Sequence, residues 1–116
     1  MTSKEIVKLA YDALEDKKGS NIKIIGLEGV SVIADYFVIA NGENRNQVQA
    51  LADFAEEKLG RAGINPTHVE GYQSAGWILL DYGDVIIHVF SKEDRAFYDL
   101  ERIWRDGTII SPDEFM

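Results

Sequence analysis

The most constraining feature of this 116-residue chain is a pair of apolar runs, at residues 77–80 and 85–90, joined by Asp-Tyr-Gly-Asp at 81–84. Short apolar runs rich in Val, Ile and aromatic residues are typical of β-strands. A short polar connection that contains glycine favours a tight turn, because glycine adopts a positive φ without strain. The segment therefore predicts a β-hairpin.

The register of this hairpin decides which side chains share a face of the sheet. A two-residue loop at Tyr82 and Gly83 places Trp77 opposite His88 and Asp81 opposite Asp84, and opposite residues share a face. The face predicted to line the core is wholly aliphatic: Ile78, Leu80, Val85, Ile87 and Val89. The other face is chemically mixed: Trp77, Leu79, Asp81, Asp84, Ile86 and His88.

The mixed face has two interpretations, and both stay open at this point. An aromatic anchor with two aliphatic residues and an acidic pair is typical of a protein–protein contact. Alternatively, a helix of the same chain covers the face and buries Trp77, as most large aromatic residues are buried. A like-charged pair opposite one another, Asp81 and Asp84, destabilises a sheet, so a positively charged group is expected to relieve it.

The charge balance limits the kinds of partner. Twelve Lys and Arg against 20 Asp and Glu give a formal net charge of −8 and a pI of about 4.6. A chain this acidic is a poor candidate for sequence-specific nucleic-acid binding, which needs clustered cations. It favours encounter with a basic partner instead. The absence of cysteine excludes disulfides and thiolate-bound metals.

Hydrophobic periodicity predicts one domain of class α+β, with a single mixed sheet of about five strands covered by helices. Helices are expected at about 2–18, 44–61 and 92–105, and strands at 21–27, 36–39, 68–70, 77–81 and 84–90. In the third helix, Phe97, Leu100 and Trp104 are expected to face the core and Arg95 to lie in solvent. The domain is expected to span 1–106, followed by an acidic, irregular tail at 107–116.

Few residues indicate chemistry. Asp81, Asp84 and His88 are candidate metal ligands, although two acids beside a glycine are more often ordinary turn residues. Phosphate-binding glycine motifs do not occur in the sequence. We therefore expect no catalytic residue, no metal and no cofactor. No apolar run approaches the ~20 residues of a membrane helix and no targeting segment is visible, so a cytoplasmic protein is expected.

Two blocks resemble the signatures of the ribosomal silencing factor (Iojap-type) family. The first is WILLDYGDVIIHVF at 77–90, and the second, at 95–104, follows R-x-x-Y-x-L-E-x-x-W. Asp35 with the strand after it, and Glu70-Gly71 before Trp77, extend the resemblance over about residues 3–106. Asn41 and Asn44 stand where the family usually has hydroxyl residues, and an asparagine at 44 can still cap the following helix.

The resemblance implies a fold and a function. Family members have a fold similar to that of nucleotidyltransferases without the catalytic acids, and free members tend to be homodimers. They are not enzymes: they bind the large ribosomal subunit through its protein fourteen, block joining with the small subunit and repress translation when nutrients are short. On this basis the partner-binding residues are expected to be those of the mixed face, with Tyr82 at its tip: Trp77, Leu79, Asp81, Tyr82, Asp84, Ile86 and His88.

Two alternatives belong to other classes. A nucleotidyltransferase-like nucleotide-binding protein would use Glu28, Asp35, Asp81 and Asp84 around a divalent ion. A dimeric interaction module would use the mixed face as its own dimer interface and would bind no ribosome.

Overall fold

A computed structural model describes residues 1–115; residue 116, the last of the predicted tail, lies outside the described residues. Within these 115 residues there are four α-helices: α1 Ser3–Asp16, α2 Arg45–Arg61, α3 Lys92–Tyr98 and α4 Leu100–Ile103. Six strands form the sheet: β1 Ser20–Gly26, β2 Tyr36–Gly42, β3 His68–Glu70, β4 Trp77–Asp81, β5 Val85–Ser91 and β6 Thr108–Ile110. A 3₁₀ turn, Pro112–Phe115, follows β6. None of the helices within residues 1–115 is long and apolar enough to span a bilayer.

The six strands form one open, mixed sheet in the order β3-β4-β5-β2-β1-β6. The central pair, β2 and β5, is parallel, with Tyr36 opposite Val85 and Gly42 opposite Ser91. All other neighbouring strands are antiparallel. The α+β class with a single mixed sheet flanked by helices is therefore confirmed.

Both long helices begin at side-chain caps that the sequence contains. Thr2 and Glu5 form a capping box at the start of α1, where each side chain accepts a hydrogen bond from the other's backbone. Asn44 caps α2 by accepting from the Gln47 backbone N–H at 2.9 Å. Caps of this kind satisfy backbone donors that have no partner inside the helix.

The two faces of the sheet are covered very unequally. The apolar sides of α1 and α2 pack together on one face, against strand residues that include Val38, Leu80 and Ile87. The opposite face is built on residues of the strands and of the loop between β1 and β2, and it is contacted by Leu100 of α4, by the adjoining Trp104 and by Tyr98 of α3. We call this second side the thin face: Ile25, Leu27, Ala34, Phe37, Ile39, Trp77, Leu79, Ile86, Phe90, Leu100 and Trp104.

The hairpin register is not the predicted one. Leu79 lies opposite His88 and Asp81 opposite Ile86, so the predicted pairing of Asp81 with Asp84 was wrong. The Tyr82 N–H donates to the Val85 carbonyl, which makes Gly83 (φ +87°) and Asp84 the central turn residues. Because the turn lies one residue later than predicted, each β4 residue pairs with a β5 residue two positions later than predicted. Side chains alternate between the faces of a strand, so a shift of two residues leaves every β4 and β5 side chain on its predicted face.

Two predictions about the C-terminal third were also wrong. The third helix is broken at Asp99, which has left-handed backbone angles (φ 49°, ψ 57°). The break reorients the helical stripe, so Leu100 is buried whereas Phe97 is 80% exposed. The segment after residue 106 is not irregular, because Thr108–Ile110 pairs with β1 and extends the sheet to six strands.

Candidate partner-binding face

The hairpin brings five of the seven predicted contact residues to the side of the sheet that carries the thin face, and three of them, Trp77, Leu79 and Ile86, are members of that face. On β4, Trp77, Leu79 and Asp81 are half-buried. On β5, Ile86 and His88 are 6% and 3% exposed. The half-buried residues alternate along β4 because successive side chains of a strand point to opposite faces. β4 therefore supplies the accessible part of this face, and β5 supplies the layer beneath it.

Trp77 is held by an aromatic cluster. Its indole Nε1–H donates to His88 Nδ1 at 3.0 Å. Its ring stacks on Phe90 with centroids 5.0 Å apart and contacts Tyr98 at 4.7 Å. One hydrogen bond and two ring contacts fix the orientation of the indole, whose exposed part completes the apolar surface beside Leu79.

His88 lies beneath this surface and is buried. Burial lowers the pKa of its imidazole to about 3, so the ring is neutral at physiological pH. Because Nδ1 accepts from Trp77, the ring proton is on Nε2. Within residues 1–115, Nε2 has no hydrogen-bond partner, and the Phe37 ring lies edge-on with its centroid 4.5 Å away. His88 therefore accepts a hydrogen bond from Trp77 beneath the accessible surface, and its part in partner binding stays a prediction.

The two remaining predicted residues, Tyr82 and Asp84, lie at the turn in different surroundings: Tyr82 packs against the core and Asp84 is exposed. Tyr82 contacts the core on the side of α1 and α2, because its position opposite Val85 puts it on that face. Its buried hydroxyl lacks a partner within residues 1–115, and burial raises the pKa of this group. The predicted place of Tyr82 on the contact face was wrong. Asp84 is exposed, and its backbone carbonyl accepts from the Asp35 and Tyr36 N–H groups.

The acidic groups of the hairpin act as turn residues. Asp81 Oδ1 accepts from the Gly83 N–H at 2.8 Å, a local contact typical of aspartate in turns. Across residues 1–115, no group of three or more His, Asp or Glu side chains is arranged to hold a metal ion. The hairpin therefore offers an apolar surface with an acidic end.

Sequence reasoning missed the role of Arg95, which is 7% exposed and not in solvent. Its guanidinium donates to Asn41 Oδ1 at 2.9 Å and to the Asn21 carbonyl, and pairs with Glu101 at 3.3 Å. It thereby fastens α3 to the ends of β1 and β2, beside the aromatic cluster. A signal was present, because Arg95 and Glu101 are both defined positions of the 95–104 block.

Comparison with known proteins agrees with this architecture. The sequence profile described as "Ribosomal silencing factor during starvation" matches residues 1–115. The ribosomal silencing factor RsfS of Bacillus subtilis is 40% identical over 113 residues, which cover 97% of this chain and 96% of that protein. RsfS of Halalkalibacterium halodurans is 40% identical over 110 residues, which cover 95% and 94% of the two chains.

Solved structures agree as well. A crystal structure of a protein from Chromobacterium violaceum superposes with a TM-score of 0.88 at 38% identity, over 96% of this chain and 92% of that one. A second, from Bacillus halodurans, gives a TM-score of 0.82 at 37% identity, over 92% and 97%. Because the profile, the relatives and the solved folds agree over nearly the whole length, this chain belongs to the ribosomal silencing factor family, a family of translation regulators.

Proposed function

We propose that this protein binds the large ribosomal subunit through its protein fourteen, prevents the small subunit from joining, and so represses translation in the cytoplasm when nutrients are short. The observation that carries the proposal is the thin face. It exposes part of Trp77 and Leu79 above a buried, packed layer, and an apolar surface whose side chains are already ordered loses little entropy when it docks.

The chemistry of the face supports a protein partner with positive charge. Trp is enriched among the residues that dominate binding energy, especially where a packed surround excludes water. Asp81 and Asp84 stand at the end of the same surface, and the whole chain has a net charge of −8. Such a charge steers a basic ribosomal protein toward the acidic end of the face and makes the encounter sensitive to salt.

The proposed mechanism is steric and involves no chemical step. An occupied surface on protein fourteen cannot also form a bridge to the small subunit. The extent to which joining is inhibited should therefore equal the fraction of large subunits that carry this protein, and one molecule should inhibit no more than one subunit at a time.

The test is co-sedimentation with separated ribosomal subunits at two salt concentrations, together with light scattering of subunit joining. Wild-type protein should pellet with the large subunit alone, less at high salt, and should inhibit joining. Leu79→Lys places a cation against the proposed basic partner and should weaken binding by at least tenfold, since loss of a central contact costs roughly 2 kcal/mol.

Val69→Lys is a matched control. Val69 lies on β3, opposite Leu80, so it projects to the other face of the same sheet, and it is 41% exposed. This variant should bind within twofold of wild type. The proposal fails if wild-type protein binds neither subunit, or if both lysine variants bind alike.

A further inference from the structure

The loop between β1 and β2, residues 27–35, exposes three aliphatic side chains within the four consecutive residues 30–33. Val32 is fully exposed, and Ile33 and Val30 are 60% and 44% exposed. Exposed aliphatic residues that occur singly need no explanation, but a contiguous group on a folded surface marks an interaction site.

The exposure is imposed by the fold. The loop is anchored at both ends, since Leu27 and Ala34 are 0% and 4% exposed and the Leu27 N–H donates to the Asp35 carbonyl at 2.7 Å. Between the anchors, the Val30 N–H donates to the Leu27 carbonyl and the Ile33 N–H to Ser31 Oγ. Hydrogen-bonded in this way, the loop holds Val32 and Ile33 outward.

Carboxylates surround this apolar loop at the same end of the sheet. They are Glu28, Asp35 and Asp84. Burial raises the pKa of Asp35, and the nearby charges of Asp84 and Glu28 raise it further, so both neighbours repel the Asp35 carboxylate. Throughout residues 1–115, no Lys, Arg or His nitrogen lies within 4.0 Å of any of these three carboxylates. A positively charged partner would relieve this repulsion.

The loop is continuous with the contact face proposed above. Its anchors, Leu27 and Ala34, belong to the thin face together with Ile86 and Leu79. The turn and the loop are joined directly, because the Asp84 carbonyl accepts from the Asp35 N–H at 2.7 Å. A partner docked on β4 would therefore lie beside the loop.

We propose that the 30–33 loop and its three carboxylates form a second contact with the same basic ribosomal protein: Val32 and Ile33 contact aliphatic side chains of the partner, and Glu28, Asp35 and Asp84 pair with its Lys or Arg residues. This inference rests on the proposed function. The loop lies outside the two strands of the hairpin, and its carboxylates would select a partner whose surface is positively charged.

Thiol footprinting tests the contact, because the natural chain has no cysteine. Val32→Cys introduces a single reactive thiol on the loop, and Glu57→Cys introduces one on the exposed surface of α2, on the other side of the sheet, as a matched control. Each variant is alkylated with a maleimide alone and with saturating large subunit, and the labelled fraction of this chain is read by mass spectrometry. We expect the large subunit to slow labelling at position 32 at least tenfold and to leave position 57 within twofold.

A binding measurement separates direct contact from simple shielding. Val32→Ser with Ile33→Ser changes only exposed side chains and should fold like wild type, yet weaken co-sedimentation with the large subunit by about three- to tenfold. Unchanged labelling at position 32 beside normal co-sedimentation overturns the second contact and leaves the proposed function standing. Equal protection of position 32 by ribosomal RNA alone overturns the protein partner. Absence of co-sedimentation by wild-type protein overturns both.

Discussion

The buried guanidinium of Arg95 allows a sharp prediction about stability. Arg95→Met keeps most of the aliphatic stem and removes the charge. The substitution deletes the hydrogen bonds to Asn41 Oδ1 and to the Asn21 carbonyl, and it leaves Glu101 without its nearer cation. The side-chain oxygen of Asn41, a residue that is only 6% exposed, then loses its hydrogen bond from Arg95.

The magnitude follows from burial and from the remaining partner. Removing one member of a buried ion pair costs about 3–5 kcal/mol. Here Glu101 keeps Lys23 at 3.6 Å and its side chain is 23% exposed, so water and a second cation offset part of the loss. We expect the free energy of unfolding to fall by about 2–4 kcal/mol. For a domain of this length, that corresponds to a melting temperature lower by roughly 10 °C.

Urea unfolding, followed by far-ultraviolet circular dichroism, measures this difference. Lys23→Met is the matched control: it breaks the exposed half of the same network, where the Lys23 side chain is 41% exposed, and should cost no more than about 0.5 kcal/mol. The double variant Arg95→Met/Glu101→Gln should be more stable than Arg95→Met, because it also removes the carboxylate that has lost its nearer cation. A loss below about 0.5 kcal/mol for Arg95→Met would refute the reasoning.

Three further predictions concern single residues. The pKa of His88 is about 3 in the folded chain and about 6.5 in the unfolded chain. The unfolded state is therefore protonated first as the pH falls. The contribution of neutral His88 to stability is complete above about pH 6.5 and declines toward pH 3. Between pH 7 and 5, wild type should therefore lose about 2 kcal/mol more than His88→Gln in urea titrations. Gly71→Ala should destabilise by roughly 2–4 kcal/mol, because its Cβ would lie 2.0 Å from the Trp77 carbonyl oxygen at a φ of +80°. Gly60→Ala, inside α2, should stabilise by up to about 1 kcal/mol, because its Cβ would meet Asn65 Oδ1 at an ordinary contact distance of 3.7 Å. Asn44→Ala should cost about 1 kcal/mol in thermal unfolding through loss of the α2 cap.

The strand faces could be predicted from the sequence because they depend only on alternation. Ile78 and Leu80 on one face and Trp77 and Leu79 on the other are correct whichever residues form the turn. The pairing itself could not be predicted, since glycine suits either central position of a two-residue turn. The observed turn uses Gly83 first, and that choice moves Tyr82 to the core side.

The rest depends on contacts between distant segments. Arg95 bonds to residues that precede it by 54 and 74 positions, and no local pattern reports such a contact. The break at Asp99 is likewise a tertiary effect, because the apolar stripe of a continuous helix would have buried Phe97. His88 is packed against Phe37 of β2, which lies 51 positions earlier in the chain, as well as against Trp77. The sequence therefore predicted which residues share the face but not how deeply each is buried.

The parallel pairing of β2 with β5 has a consequence for how the chain folds. Tyr36 and Val85 are 49 positions apart in the sequence and lie side by side at the centre of the sheet. At the edge of the sheet, Ile24 pairs with Ile110, which is near the C-terminal end of the chain. The N-terminal half alone contains α1, β1, β2 and α2, which leaves one side of β2 unpaired. Loop closure over such distances is slow compared with local helix formation. During synthesis the sheet therefore completes late, and an open strand edge persists until β5 emerges, which is the interval in which the nascent chain is most exposed to mispairing.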